Sequence, residues 1–583
     1  MAAPEIAPRD EEERVQGTRR GNNPGNSDSP SLSPPTSPQS GGRSERSPSP
    51  WDKDEKQPNV NDDCEEQDDW PIAYHYLTFE TELPHPISVE PRTPEAPHPP
   101  PPPDLAKYTS PFLWPDLRKR IIIWISVFAT AFTAFTAGAY SPALQQMKDE
   151  WHVSTVAILC GITTFTTGFG VAPMVLAPFS EINGRKPVFI ASGLLFVVCQ
   201  LCCAVTRSYG GMLVARFFVG VGGSTFSTMV GGVISDIYHT AERNTPMTLF
   251  SAGALVGTGM GPFVTGFVAQ HLHWRWMFWI QVIMDAVLMV VVIVCFKETR
   301  GSVLLSRKAK ALNAWYEERE KAGYYGFKMP VPGATDKFEP QRIRWKVKSD
   351  EERASLSRMI AISCYRPFHL LITEPVVFFF SLWVSFAWAV LYLTFAAIPL
   401  VFSTEHGFDI QQNGYVFTSI SIASVIFAVI CIYQEKIAKR YNKLPPSPEA
   451  RLYFSCYESV LLPVGLFMFG WTSNSSVHWI APAIAIGLAT MGIFSVYLAV
   501  FNYLADTYHR YASSALAAQS CCRNIMGGVL PLVTNQMFTH LTYGPASSLL
   551  GGIGILLTFV PWVLMLWGPR IRARSKFASE LVG

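Results

Sequence analysis

The sequence predicts an all-α membrane protein with twelve transmembrane helices in two six-helix bundles, preceded by a disordered N-terminal tail. Three observations carry that expectation. The first is about twelve apolar stretches between residues 121 and 569, each of roughly 20 residues, the length an α-helix needs to cross about 30 Å of hydrocarbon. The second is the composition of the 583 residues: 49% are hydrophobic and only 16% charged, against about 25% charged in soluble domains. The third is the placement of Lys and Arg, which collect at alternate loops. The net charge of +2 by itself decides nothing.

The spans fall at about 121–142, 155–177, 188–206, 211–235, 246–269 and 275–296, then 375–402, 412–434, 452–471, 479–503, 512–536 and 547–568. This divides the chain into a tail (1–117), a first bundle (118–296), a middle loop (297–373), a second bundle (374–569) and a C-terminal tail (570–583).

The tail holds 23 of the 44 prolines, and five Ser-Pro pairs begin at Ser29, Ser33, Ser37, Ser47 and Ser49. Such a composition buries too little apolar surface to offset ordering entropy. One aromatic stretch, Trp70 to Phe79, is a candidate for docking on the protein or the bilayer, and Pro99 to Pro103 should form a stiff polyproline II spacer. In the middle loop, Leu304 to Lys321 has helical spacing and mixed charge, which reads as a solvated or interface-lying helix.

Basic residues set the orientation. Lys107, Arg118, Lys119, Arg120, Arg185, Lys186 and Arg243 fall on one side. Lys436, Lys439, Arg440, Lys443, Arg451, Arg510, Arg570, Arg572, Arg574 and Lys576 join them. The other side holds little more than Lys148, Arg207 and Arg275. Both termini are therefore expected in the cytosol. No apolar core of a secretory signal opens the chain. The 11 cysteines are scattered, several within spans, and lack metal-ligand spacing. No phosphate-cradling G-x-x-x-x-G-K-S/T loop is present, and neither a nucleophile–base pair nor a nucleic-acid surface is visible. The expectation is a non-enzyme without cofactor or metal, and a monomer. Its partners are a small-molecule substrate, protons and the lipid bilayer, with no nucleic acid.

Three motifs and a set of intramembrane polar residues carry the chemistry. After span two comes Pro178-Phe179-Ser180-Glu181-Ile182-Asn183-Gly184-Arg185-Lys186, a turn that needs a glycine and sets an acid beside two cations. Span four contains Arg216-Phe217-Phe218-Val219-Gly220-Val221-Gly222. An arginine within a bilayer is costly and is by default functional. Span five reads Gly257-Thr258-Gly259-Met260-Gly261-Pro262-Phe263-Val264-Thr265-Gly266, where small residues four apart allow close helix approach and proline bends the helix. Further polar residues stand inside spans: Asp285 and Gln281 in span six, Glu458 in span nine, Asn502 in span ten, and Gln519, Arg523 and Asn524 in span eleven.

From about Trp114 to the last span the chain resembles the major facilitator superfamily. The span-two loop resembles its G-x-x-x-D-x-x-G-R-R/K motif, with Glu181 in the place of the acid and Ala177 in that of the first glycine. Span four resembles R-x-x-x-G-x-G. Span five resembles the G-x-x-x-G-P-x-x-G-G motif of proton-linked exporters, with Thr265 as a departure. Trp114-Pro115, the run His273 to Trp279, Glu298-Thr299, Glu374-Pro375 and Pro448 to Leu452 look like fungal twelve-span drug:proton antiporters. So do Gly470-Trp471-Thr472, Asn502-Tyr503-Leu504, and Ser513 to Ala518 with Arg523 and Pro531.

The resemblance implies export of a small organic compound across the plasma membrane in exchange for protons, by alternating access between two bundles. The cargo would be a secondary metabolite, toxin, drug or polyamine. It implies a conformational switch at Glu181, Gly184, Arg185 and Lys186, proton coupling through Arg216 with Asp285 or Glu458, and packing through Gly257, Gly261, Pro262 and Gly266. Gln281, Asn502, Gln519, Arg523 and Asn524 are candidate cavity residues. Two alternatives stay open: a proton-coupled importer of a nutrient or organic acid with the same fold, and a non-transporting membrane sensor.

Overall fold

The structure, a computed structural model, describes residues 71–84, 98–240, 242–324, 326–330, 338–351, 356–441, 447–508 and 511–575. The Ser-Pro sites, Trp70, Lys443, Arg510 and Lys576 lie outside the described residues, as does the greater part of the expected disordered tail.

Among the described residues eleven helices are long and apolar enough to cross a membrane, beginning with Asp116–Trp151, which bends into a short terminal helix at Leu144–Trp151. Spans two to six are Thr155–Asn183, Arg185–Val205, Tyr209–Ile237, Asn244–His271 and Arg275–Cys295. Spans seven to ten are Pro375–His406, Ile410–Arg440, Pro448–Thr472 and Ile480–Tyr508, and span twelve is Tyr543–Arg574. The missing member is Ala512–Leu541, a 30-residue helix whose apolar run is interrupted by Gln519, Arg523 and Asn524. Its polar side chains are buried against neighbouring helices rather than presented to lipid, as intramembrane polar groups require. It is the eleventh of twelve spans.

In the first bundle, span one packs on span five, span two on span four, and span three on spans four and six. In the second, span seven packs on span eleven, and span nine on spans ten and twelve. Between the bundles, span two meets span eleven and span five meets span eight. These two pairs exchange when the halves are exchanged, as a two-fold axis along the membrane normal demands.

Most spans run a few residues beyond their expected ends, span one the furthest at its Trp151 end, and two of these ends bear on the argument. The expected turn Pro178–Lys186 is helical on both sides of Gly184, which alone forms the break. The last span continues through Arg574, so the first five residues of the expected C-terminal tail are helix.

The middle loop also differs. Helix Gly301–Lys321 is not simply solvated: Leu304, Ala309, Leu312 and Tyr316 are buried. It covers a three-stranded sheet of order β1-β3-β2, formed by β1 (Ile72–Tyr76), β2 (Phe327–Pro330) and β3 (Phe338–Lys346). β1 runs parallel to β3 with Ile72 opposite Arg342 and Tyr76 opposite Lys346; β2 runs antiparallel to it. Leu77, Leu312, Tyr316, Phe327, Ile343 and Trp345 make a small core of their own. The aromatic stretch of the tail thus docks on the protein as a strand. Asn313 clips the sheet to the helix, accepting from the Trp345 N–H at 2.8 Å and donating to the Trp345 carbonyl at 2.9 Å. Glu320 accepts from Arg342 at 2.8 Å and from Arg344 at 2.7 Å. The polyproline spacer is anchored as well, because the Trp315 indole donates to the Pro100 carbonyl at 2.9 Å.

Candidate functional site

The end of the bundle at Gly184 is organised by carboxylates. Gly184 has φ +101°, and a Cβ there would stand 2.2 Å from Glu298 Oε2. Only glycine permits both the backbone turn and the approach of that carboxylate. Glu298 then accepts from the backbone N–H of Arg185 at 2.8 Å and of Lys186 at 3.2 Å, satisfying the free donors that open span three. The Arg185 side chain turns to Asp236 at the end of span four (3.3 Å) and donates to Ser180 at 2.7 Å. Arg300 holds the other oxygen of Asp236 at 3.2 Å. Lys186 donates to the Ile293 carbonyl at 3.1 Å.

Glu181, the acid of the motif, is therefore not the partner of Arg185. It makes no ion pair among the described residues and faces a recess lined by Pro178, Ser363, Pro367, Ser513 and Ser514. The sequence reading missed Asp236 because Arg185 and Asp236 lie 51 positions apart.

The second bundle repeats the device. Arg451, at the start of span nine, binds Asp506 at the end of span ten at 2.9 Å. Residues from the first bundle join it: Arg451 donates to the Thr240 carbonyl at 3.3 Å, and Arg243 reaches Asp506 at 4.0 Å. Asn244 donates to Glu435 at 2.6 Å and accepts from Asn502 at 3.0 Å. Asn502 is thus part of a latch between the bundles at the Gly184 face. At the opposite face Ser141 donates to the Phe395 carbonyl at 2.5 Å, and His271 and Gln411 lie 3.0 Å apart. The bundles are engaged at both faces.

Span five fits between the halves as a thin slab. A Cβ at Gly257 would stand 2.1 Å from the Ala131 carbonyl oxygen, and one at Gly261 2.4 Å from that of Phe135, both on span one. The opposite edge meets the other bundle: Gly259 faces Phe417 and Ser421, and Gly266 faces Ile410 and Gly414. A Cβ at Gly138 would stand 2.7 Å from the Pro262 ring, so Pro262 fills the space that glycine leaves.

Between the faces lies a buried polar interior. Arg216 is fully buried, not snorkelled to an end. It donates to the carbonyls of Gly161 (3.3 Å) and Thr136 (3.4 Å) and stacks on Tyr140 and Phe165 at 4.6 and 4.7 Å. No acid pairs with it among the described residues. Asp285 is buried in span six with Oδ2 unpaired, while Gln281 accepts from Gln200 at 2.8 Å. Glu458 accepts from Gln434 and Ser495, each at 2.7 Å. Arg451, earlier in the same span, is engaged with Asp506. The structure therefore brings Arg216 together with neither Asp285 nor Glu458 as an ion pair.

In span eleven, Asn524 donates to the Ser520 carbonyl at 2.7 Å. Arg523 lies over Trp388, Tyr497 and Phe501 at 4.5, 5.0 and 5.8 Å. Gln519 is buried beside it on the same helix face, one turn away. Tyr392 of span seven is within electrostatic reach of both Arg216 and Arg523, one from each bundle. Among the described residues no cluster of His, Cys, Asp and Glu is placed to hold a metal.

A twelve-helix, twin-bundle membrane protein latched at both faces around buried charges has the architecture of a secondary transporter. The comparisons agree: residues 123–531 match the Major Facilitator Superfamily, and the chain belongs to that family. The chain is 33% identical to the transporter paaT of Penicillium rubens over 464 residues, covering 78% of this chain and 80% of that one. To the efflux pump atB of Aspergillus terreus it is 35% identical over 448 residues, with 75% and 88% covered. The multidrug transporter FLR2 of Candida glabrata is 28% identical over 479 residues, with 81% and 77% covered. Among solved structures, the partially occluded, inward-open xylose transporter XylE of E. coli matches with a TM-score of 0.54 at 12% identity. It covers 76% of this chain and 97% of that one. This likeness shows the fold.

Proposed function

We propose that this transporter exports a small organic compound, a secondary metabolite, toxin, drug or polyamine, across the plasma membrane in exchange for protons. The observation that carries the reading is the pair of separate latches between the bundles. One latch joins residues 240–244 to Glu435, Arg451, Asn502 and Asp506. The other joins Ser141 to Phe395 and His271 to Gln411. Contacts at both faces that open one at a time are what alternating access requires. Export is favoured by the span-five motif and by the relatives named as efflux pumps.

In this reading the Gly184 face is cytosolic and so are both termini, from the basic flanks. Glu181, Gly184, Arg185 and Lys186 form the hinge of the switch. Arg216, Asp285 and Glu458 couple protonation to it, and Gln281, Gln519, Arg523 and Asn524 line the path. Because Arg216 has no carboxylate partner in the closed state, coupling does not run through a fixed ion pair. Protonation of Asp285 or Glu458 biases the equilibrium of states, because a buried carboxylate is tolerated in one arrangement and hydrated in the other.

The test is flux in sealed inside-out plasma-membrane vesicles carrying the full chain. An acid interior should drive accumulation of at least one of a fluorescent azole, a polyamine and an aromatic carboxylate probe, and collapsing the gradient should abolish it. Accumulation driven only by an acid exterior would mark an importer. No flux of any probe, with the protein at normal surface density, would leave a sensor.

A further inference from the structure

Arg523 is the one fully buried guanidinium among the described residues with Nε, Nη1 and Nη2 all lacking a hydrogen-bond partner. The other fully buried arginine, Arg216, donates to two carbonyls. Gln519 is also fully buried, with both amide atoms unpartnered. Gln519 and Arg523 are four residues apart, so they lie on one face of span eleven. The Tyr497 hydroxyl, from span ten, is unpartnered as well. No salt bridge engages Arg523 among the described residues, and the two intramembrane acids are elsewhere: Glu458 is held by Gln434 and Ser495, and Asp285 lies in the first bundle.

A buried donor without an acceptor is expensive, and a buried charge more so. The aromatic cage answers only part of this. Its contacts with Trp388 and Tyr497 are cation–π contacts, with Cζ over the rings at 4.5 and 5.0 Å, and satisfy none of its N–H donors. The N–H fork, which lies in the plane, stays free, and that fork has the geometry of a carboxylate. The cage would in turn accept a flat apolar body beside the carboxylate, offset-stacked on its rings.

We propose that Arg523 and Gln519 form the anion-recognising point of the transport site, and that the cargo is a small organic carboxylate with an aromatic body. This rests on the transporter reading above and narrows its cargo. A monoanion neutralises Arg523, so the loaded site can be carried through the closed state without an unpaired charge. A cationic cargo would add a third positive charge to those of Arg523 and Arg216, with no acid among the described residues in contact to offset either.

The experiment is equilibrium binding to the purified full-length protein. It uses three probes with one ring system: 1-naphthoate, neutral 1-naphthamide and cationic 1-naphthylmethylammonium. Wild type should hold the naphthoate at least about tenfold more tightly than the other two. Arg523→Gln should erase that preference, Arg523→Lys should keep part of it, and Gln519→Leu should weaken it. Equal binding of the amide or the cation by wild type would overturn the proposal, as would absence of saturable naphthoate binding. Because the wild-type comparison needs no variant, misfolding of Arg523→Gln does not blur it. Flux separates this from the broader reading. Arg523-dependent naphthoate binding without gradient-driven transport would leave the anion site standing and remove the exporter. Gradient-driven export of amide and cation with no preference for the carboxylate would do the reverse.

Discussion

Arg451 binds Asp506 at 2.9 Å across 55 positions of sequence, and in doing so reproduces the pair that Arg185 and Asp236 form across 51. Each arginine opens the third helix of its bundle and each aspartate closes the fourth. The supporting carboxylates also correspond, with exchanged roles. Glu298, beyond span six, caps the start of span three, while Glu449, in the first turn of span nine, binds Arg572 at the end of span twelve at 2.8 Å. The halves differ in one respect. The second pair is joined by Thr240 and Arg243 of the opposite bundle, so it serves the latch as well as its own bundle.

Asp506→Asn should therefore loosen the Gly184 face. A partly exposed ion pair contributes about 1 kcal/mol or less, so the open population should rise by up to about fivefold. Labelling of buried Cys521 by a membrane-impermeant maleimide, with the other cysteines replaced, reads this out. Labelling at the wild-type rate would show that Asp506 does not hold the latch.

Gly184→Ala should fail as a fold rather than as a transporter. The backbone at φ +101° is reserved for glycine, at about 1–3 kcal/mol for another residue, and the new methyl would stand 2.2 Å from Glu298 Oε2 and push that carboxylate away. Loss of that cap should lower the thermal midpoint in detergent and the yield at the membrane. An alanine variant with wild-type midpoint would contradict this account of the turn.

Gly257→Leu should block movement of span five. Even a Cβ would stand 2.1 Å from the Ala131 carbonyl, and overpacking costs about 1–3 kcal/mol or more. Gly210, with nothing within 4 Å of its would-be Cβ, is the control: Gly210→Ala should transport normally. Equal activity of the two variants would refute a close span-one contact.

Arg216→Ala should abolish gradient-driven efflux while substrate binding persists in part, because the guanidinium lies on Tyr140 and Phe165 rather than on Arg523's cage. Flux against pH in reconstituted vesicles measures it. Native rate with unchanged pH dependence would remove Arg216 from the coupling.

The sheet beside the bundle should be acid-sensitive through Glu320. Burial pushes its carboxyl up, but hydrogen bonds and charge from Arg344 and Arg342 outweigh this and hold it below its ordinary value. A depressed carboxylate stabilises the fold above its unfolded value and loses that contribution as pH falls through the folded one. Protease resistance of the 301–351 segment should thus hold at neutral pH and decline only below about 4.5, the ordinary glutamate value. Glu320→Gln should be less resistant at pH 7 and flat across that acid range. A wild-type decline that begins near pH 6 would point to another group.

The legible part of this molecule was what hydrophobicity and local spacing encode. Eleven of the twelve helices pass a composition test, and the glycines of span five announced a close helix contact because small residues four apart have few other uses. What could not be read were partners far apart in sequence. Asp236 and Asn244 look like ordinary helix-end residues until Arg185 and Glu435 are placed beside them. Span eleven is the converse: its polar residues, which weaken the hydrophobic signal, are the ones buried among the neighbouring helices. The middle loop misled for a third reason. A helix with one apolar stripe reads as interfacial when the strand that covers it, chiefly β3, is not itself foreseen.

Pairing of that strand sets a timetable for synthesis. Tyr76 donates to Glu351 at 2.5 Å across 275 positions, and the first bundle lies between them. At about 5–20 residues per second, the strand leaves the ribosome on the order of tens of seconds before its partner exists. During that interval six helices enter the bilayer while Ile72–Tyr76 waits with an unpaired edge. Ile72–Tyr76 can take its place beside β3 only after every helix of the first bundle has been made.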